Sequence, residues 1–283
     1  GSDPERARRL GGRAVAARSC MDDAPGPPPP PVKPESAATT WAALAEPVGE
    51  PVRRFDATTV ADLPDPAQRL LVRALPDGTP LTGAVTLAMN GRIKLGRWMP
   101  FRADEILRAG VGFVWRPVVG GRILRFTGAD LLGSEEARME FRLHGLVPVV
   151  RASGADVARS AAGRLAAETV AWLPQALTPH AGAQWTAIDD ARAVVTLEAA
   201  GGTVEVEVEV EADGRLRSIG LQRWKDSAEP PGEEPFGGTV DEEFLTADGV
   251  RIAGAGSVGW GWGTPQWEEG EFFRYRVGHA AFT

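Results

Sequence analysis

The 283-residue chain is 43% apolar and 24% charged, enough apolar content for a sizeable core and too much for a disordered polymer. Its formal charge is −7, and because residues 1–20 hold five Arg against Asp3 and Glu5, the rest carries 26 basic against 36 acidic residues, or −10. So acidic a body repels a phosphate backbone, and no basic stripe interleaved with aromatics offsets it, which excludes nucleic acid as an expected partner. Every apolar run is broken well short of the roughly 18 to 20 residues of a membrane-spanning helix, so no transmembrane segment is expected. Cys20, the single cysteine, makes neither an internal disulfide nor a thiolate cluster.

Taken in chain order, residues 1–40 read as a disordered leader. Arg-rich GGRAVAARSC precedes PGPPPPPVKP, where seven prolines between Pro25 and Pro34 hold the backbone extended and unpaired. Gly1-Ser2 reads as a cloning remnant and Met21 as a natural start. With no apolar h-region before Cys20, no signal peptide is in view, so a cytoplasmic location is expected, with export as the alternative if a leader was removed.

A single domain is expected over residues 41–283. It opens with a short amphipathic piece at Trp41–Leu44. A helix follows at 65–75, capped by Asp65 with Pro66 in the first helical position and an apolar stripe of Leu70, Leu71, Ala74 and Leu75. From Thr82 the helical period gives way to alternation: Val85, Leu87, Met89, Ile93 and Leu95 on one side, then Ala137, Met139, Phe141, Leu143 and Val147 against Glu136, Arg138, Glu140, Arg142 and His144. The longest run sets Val204, Val206, Val208 and Val210 against Glu205, Glu207, Glu209 and Glu211. A three-residue loop after it places Glu211 opposite Arg215 and Val210 opposite Leu216. A second hairpin at Asp248-Gly249 faces Leu245 with Ile252. One long helix, 154–173, carries Val157, Ala161, Leu165, Glu168 and Trp172 on one face and stops at Pro174.

Strands are expected near 84–98, 111–119, 121–131, 136–149, 183–188, 193–199, 203–211, 215–224, 238–246, 250–262 and 268–279. The fold class is therefore mainly β (α+β): a large curved antiparallel sheet or half-barrel of about eleven strands, with a few helices covering the concave face.

Nine Trp against one Tyr dominate the aromatic content. Phe113 and Trp115 share a strand face, as do Trp260 and Trp262 farther along, and large rigid apolar surfaces pointing into a curved sheet suit a hydrophobic ligand. Filling a solid barrel is the competing use of the same rings. Glu168, between Leu165 and Trp172, is either a buried carboxyl usable as general acid or base, or a helix-edge carboxylate paired with an Arg such as Arg164. No metal and no cofactor is expected. His144, His180 and His279 are scattered, Asp189-Asp190 reads as a turn, and GAGSVG (Gly254–Gly259) lies inside a strand with no following helix to receive a pyrophosphate.

LPDPAQRLLVRALPDG (63–78), GRWMPFRADEIL, GFVW, LLG, LAAETVAWLPQAL (165–177) and QWTAIDDARAVVTL, in this order and spacing, resemble an uncharacterised bacterial family common in actinobacteria, across roughly residues 60–280. The architecture is similar to the outer-membrane lipoprotein carrier fold (LolA and LolB type), an unclosed barrel with helices over an apolar concavity. That likeness implies a lipid or other hydrophobic ligand, with Trp115, Phe141, Trp172 and Trp260 in the wall.

Two functions are consistent with this reading. The first is a binding or carrier protein for a hydrophobic small molecule or acyl chain, held by Phe113, Trp115, Met139, Phe141, Leu165, Trp172, Trp260 and Trp262. The second is an enzyme, a cyclase, isomerase or hydrolase, acting on an apolar metabolite in the same cavity with Glu168 as general acid or base. Oligomeric state is not legible.

Overall fold

The computed structural model describes residues 36–47, 52–134 and 136–283, so residues 1–35 of the expected leader lie outside the described residues. Helix α1 (Ala37–Ala45) begins inside the segment read as leader. It is followed by α2 (Asp65–Ala74) and then β1 (Ala84–Leu95), β2 (Arg97–Arg108), β3 (Gly112–Gly120), β4 (Arg125–Leu132), β5 (Ala137–Leu143) and β6 (Val147–Ser153). Helix α3 (Ala155–Trp172) leads to β7 (Gln184–Ala187), β8 (Arg192–Ala199), β9 (Gly202–Val210), β10 (Leu216–Lys225), β11 (Gly232–Leu245) and β12 (Arg251–Trp260). The short α4 (Trp267–Gly270) precedes β13 (Glu271–Phe282).

The protein is mainly β, one unclosed antiparallel sheet of thirteen strands in the order β6-β5-β4-β3-β2-β1-β13-β12-β11-β10-β9-β8-β7. The expected eleven strands become thirteen for two reasons. Pro100 and the charged FRADE stretch obscure β2, although Met99, Phe101, Ala103, Glu105 and Leu107 all fall on one buried face. The run 136–149 is two strands, because the chain folds back at His144 and Gly145, whose φ angles of 52° and 75° are those of a tight type I′ turn.

Curvature follows from distances. Laid flat, at about 4.8 Å per strand, β6 and β8 would stand about 53 Å apart. Yet α3, roughly 27 Å long at 1.5 Å per residue, touches β6 and β8 as well as strands between them. The sheet therefore wraps around this helix. Ala200 N–H donates to Gly110 O at 3.1 Å, tying the β8–β9 turn to the β2–β3 turn across the gap.

The other helices take different places. On the outer face α1 buries Leu44 against Ile106, Val114 and Leu131. Helix α2 buries Leu70, Leu71 and Ala74 in the main core and closes the end of the half-barrel where the β9–β10 and β11–β12 turns lie, Gly214 meeting Arg69 and Arg73, and Gly249 meeting Pro76 just past the helix. Asp65 is its first helical residue and makes no cap; Pro64 stands in the cap position. Arg73 fastens the helix to Glu243 with bonds of 2.9 and 2.7 Å.

Both hairpins near this end have legible chemistry. Leu216 pairs with Val210, and Arg215 bonds Glu211 at 2.8 Å, although a bulge at Arg217 brings Ser218 opposite Glu209. At the second, the two-residue turn expected at Asp248-Gly249 is a three-residue loop. Gly249 adopts φ 82°, Thr246 Oγ1 accepts from Val250 N–H at 3.1 Å, and Leu245 consequently faces Arg251 instead of Ile252.

Candidate functional site

Cross-strand register builds one row of inward-facing residues, Leu87, Glu105, Trp115, Asp130 and Met139, on five adjacent strands from β1 to β5. Between this row and α3 lies a cavity of about 530 Å³, within the range of small-molecule sites. Trp115, Phe126, Met139 and Phe141 form one side, Ala167, Ala171 and Trp172 the helix side, and Phe236, Val258, Phe273 and Tyr275 the far wall. The rings interlock: Phe273 stacks on Phe101 at 4.8 Å, Trp115 meets Phe273 edge-on at 5.9 Å, and Trp172 meets Tyr275 at 5.5 Å. Leu95, Val149 and Val150 line the cavity yet are 48%, 46% and 41% exposed, which marks its mouth at the end opposite α2.

One polar cluster interrupts the carbon lining. Arg164 reaches from α3 and divides its guanidinium three ways: Nε to Glu168 Oε1 at 2.6 Å, Nη1 to Asp130 Oδ2 at 2.7 Å and Nη2 to Glu105 Oε1 at 2.9 Å. Its plane lies 4.2 Å from the Phe113 ring. Burial works against the Arg164 charge, but Glu168, Glu105 and Asp130 outweigh it and hold the group protonated above its ordinary value. Glu105 is fully buried, and burial, reinforced by the charge of Glu168, pushes its carboxyl well above the usual carboxylate range.

The Oε2 atoms of Glu105 and Glu168 are buried and find no donor among the described residues. A proton held on Glu105 and hydrogen-bonded to Glu168 satisfies both. Arg223 lies behind, its Nε donating to Ser160 O at 2.9 Å and its guanidinium 4.4 Å from the Phe236 ring. Burial and the like charge of Arg164 lower its pKa to about 10. Among the described residues no group of His, Cys, Asp and Glu is arranged to hold a metal ion; Arg164 occupies the centre of the three acids.

The proton on Glu105 has a measurable consequence. A carboxyl whose pKa rises on folding keeps its proton after the unfolded chain has lost it, so stability falls as pH rises above about 4.3, by up to about 1.4 kcal/mol per unit, until the folded-state pKa is passed. Glu105→Gln, which mimics the neutral acid, should remove this slope and unfold at a higher temperature than the wild type in alkaline buffer. Parallel melting-temperature curves for the two proteins would contradict the assignment.

Of the residues singled out in the sequence, Trp115, Met139, Phe141, Trp172 and Glu168 meet at the cavity. Phe113 and Leu165 are fully buried, the former beneath Arg164, and belong to the packed core beside it. Trp260 stands behind Phe236, ring centres 4.9 Å apart, outside the lining. Trp262 does not share its face. Gly261, at φ 71°, turns the chain, and the indole covers Gly220 and Gly237 on the outer side of the sheet. Glu105, Asp130 and Arg223 were not among the sequence candidates. The available signal for Glu105 was its place in the buried alternation of Met99, Phe101, Ala103 and Leu107.

The model of a family of unknown function, DUF6544, matches residues 53–272. No curated protein matches the chain. Among solved structures, the chain is similar to a LolA superfamily protein from Nitrosomonas europaea, with 10% identity, coverage of 77% of this chain and 92% of that one, and a TM-score of 0.39. It is also similar to a domain described as an outer membrane lipoprotein-sorting protein from Vibrio parahaemolyticus (12% identity, 71% and 86% coverage, TM-score 0.38). A DUF1329 family protein from Desulfovibrio piger is a third such structure (11% identity, 71% and 86% coverage, TM-score 0.32).

Proposed function

We propose a role for this chain, which belongs to the DUF6544 family of unknown function, from its own cavity: it binds a hydrophobic small molecule or acyl chain between α3 and the curved sheet. The observation that supports this is a hollow of about 530 Å³, walled by aromatic and aliphatic side chains and open at one end. Each methylene moved from water into such a wall gains about 0.8 kcal/mol, so an eight-carbon tail gains roughly 6 kcal/mol before the costs of association. The Trp115 Nε1–H, buried in the wall without an acceptor among the described residues, is available to a polar atom of the ligand.

Tryptophan fluorescence tests the proposal, because Trp115 and Trp172 line the space. Titration with dodecanoate and with short-chain phosphatidylglycerol should change the emission saturably. An emission unchanged by either would count against the reading.

Glu168 supports a second reading. It sits in the wall beside Glu105, whose carboxyl burial pushes well above the usual carboxylate range, and such a pair can donate and accept a proton from a bound apolar substrate. Glu168→Gln separates the two. A binding protein should co-purify with the same compound in wild type and variant, by mass and by chromatographic retention, whereas an enzyme should leave the variant holding unconverted substrate that differs in mass or, for an isomer, in retention.

A further inference from the structure

We infer that the open end of the half-barrel is a docking surface for an anionic lipid membrane, formed by the tips of three hairpins. In an antiparallel meander alternate turns lie at the same end of the sheet, so the β1–β2, β3–β4 and β5–β6 turns project together. The β10–β11 and β12–β13 turns at that end carry Asp226, Glu229, Glu268 and Glu269, so the docking surface is confined to the β1–β6 side. Each tip presents an apolar side chain to water: Leu95 is 48% exposed, Ile123 93% and Leu146 77%. Val147, next to Leu146, is 57% exposed.

Charge identifies the partner. The chain as a whole holds 38 acidic against 31 basic residues, yet residues 92–98, 119–126 and 142–151 contain no Asp or Glu and carry Arg92, Lys94, Arg97, Arg122, Arg125, Arg142 and Arg151. Arg142 and Arg151 pair with Glu140. Arg97, Arg122 and Arg125 form no ion pair among the described residues, and they flank the apolar tips. Isolated apolar points on narrow turns offer a folded partner little of the roughly 1,000 Å² that a specific interface buries. A bilayer accepts each one separately, and its anionic headgroups attract the arginines between them.

The surface is continuous with the cavity mouth, since Leu95 belongs to both. Docked in this way, the hollow would open towards acyl chains. The docking surface stands on exposure and charge alone and goes beyond the cavity reading.

Sedimentation of the full chain with vesicles tests it. The protein should pellet with an equimolar mixture of phosphatidylglycerol and phosphatidylcholine, and at least about tenfold more weakly with phosphatidylcholine alone or in high salt. The double variants Ile123→Asp with Leu146→Asp, and Arg122→Glu with Arg125→Glu, alter only exposed side chains, and each should weaken vesicle binding by at least about tenfold. Both should still respond to dodecanoate as the wild type does, so failure of docking and failure of cavity binding are read separately. A wild type that stays in the supernatant with anionic vesicles, or tip variants that pellet as well as it does, would overturn the inference.

Discussion

Arg164→Leu should lower the stability of the protein by about 3 to 5 kcal/mol at neutral pH, the range for breaking a buried ion network by removing one member. Three acids, Glu105, Asp130 and Glu168, share this one guanidinium at 2.6 to 2.9 Å. None of the three can turn to bulk water without leaving the wall of the cavity. Once the cation is gone the folded state relieves the repulsion by taking up protons, and their carboxyls then titrate at higher pH folded than unfolded. The deficit should therefore be smallest in acid and should widen as pH rises. Arg164→Lys should fall between wild type and Leu, because a single ammonium cannot fork to three carboxylates in one plane. Urea unfolding in mildly acidic and mildly alkaline buffer measures both the size and the sign. A Leu variant as stable as the wild type at every pH would mean that the acids are not held as described.

Ala167→Trp should abolish ligand binding while leaving the fold intact. Ala167 faces the cavity from α3, next to Glu168 and one turn before Ala171. An indole there occupies space now free, at a helix-propensity cost of only about half a kcal/mol. Displacing even four methylenes of ligand removes about 3 kcal/mol of apolar contact, or about 200-fold in affinity. The measurement is the dodecanoate titration together with a thermal melt. Unchanged affinity in a folded variant would place the ligand elsewhere.

The sheet was largely legible because its strands have one wet and one apolar face, and the period of two survives in sequence at β5, β9 and β12. Two strands escaped for local reasons. Pro100 masks the alternation of β2, and a tight three-residue connection, His144 to Leu146, leaves little loop between β5 and β6 to notice. Glu168 was visible because its helical spacing from Leu165 and Trp172 is a short-range property, and Arg164, one turn earlier, was named as a partner for the same reason. Glu105 and Asp130 were not visible. The hairpin registers of β2 with β3 and β3 with β4 place them on one face, but only the curvature of the sheet around α3 brings that face to Arg164. Trp262 illustrates the converse: parity along the strand assigned its face, and one glycine beyond the strand end reversed it.

The claim on which the functional account rests is that the hollow under α3 is occupied by an apolar molecule in the working protein. Native mass spectrometry of wild type and Ala167→Trp, purified side by side from a lipid-rich host, tests it most directly. The account predicts a wild-type ion heavier than the bare chain that sheds a small apolar molecule on activation, and a variant ion at the mass of the chain alone. A wild-type protein that is bare under the same conditions, or a variant that carries the same adduct, would contradict it.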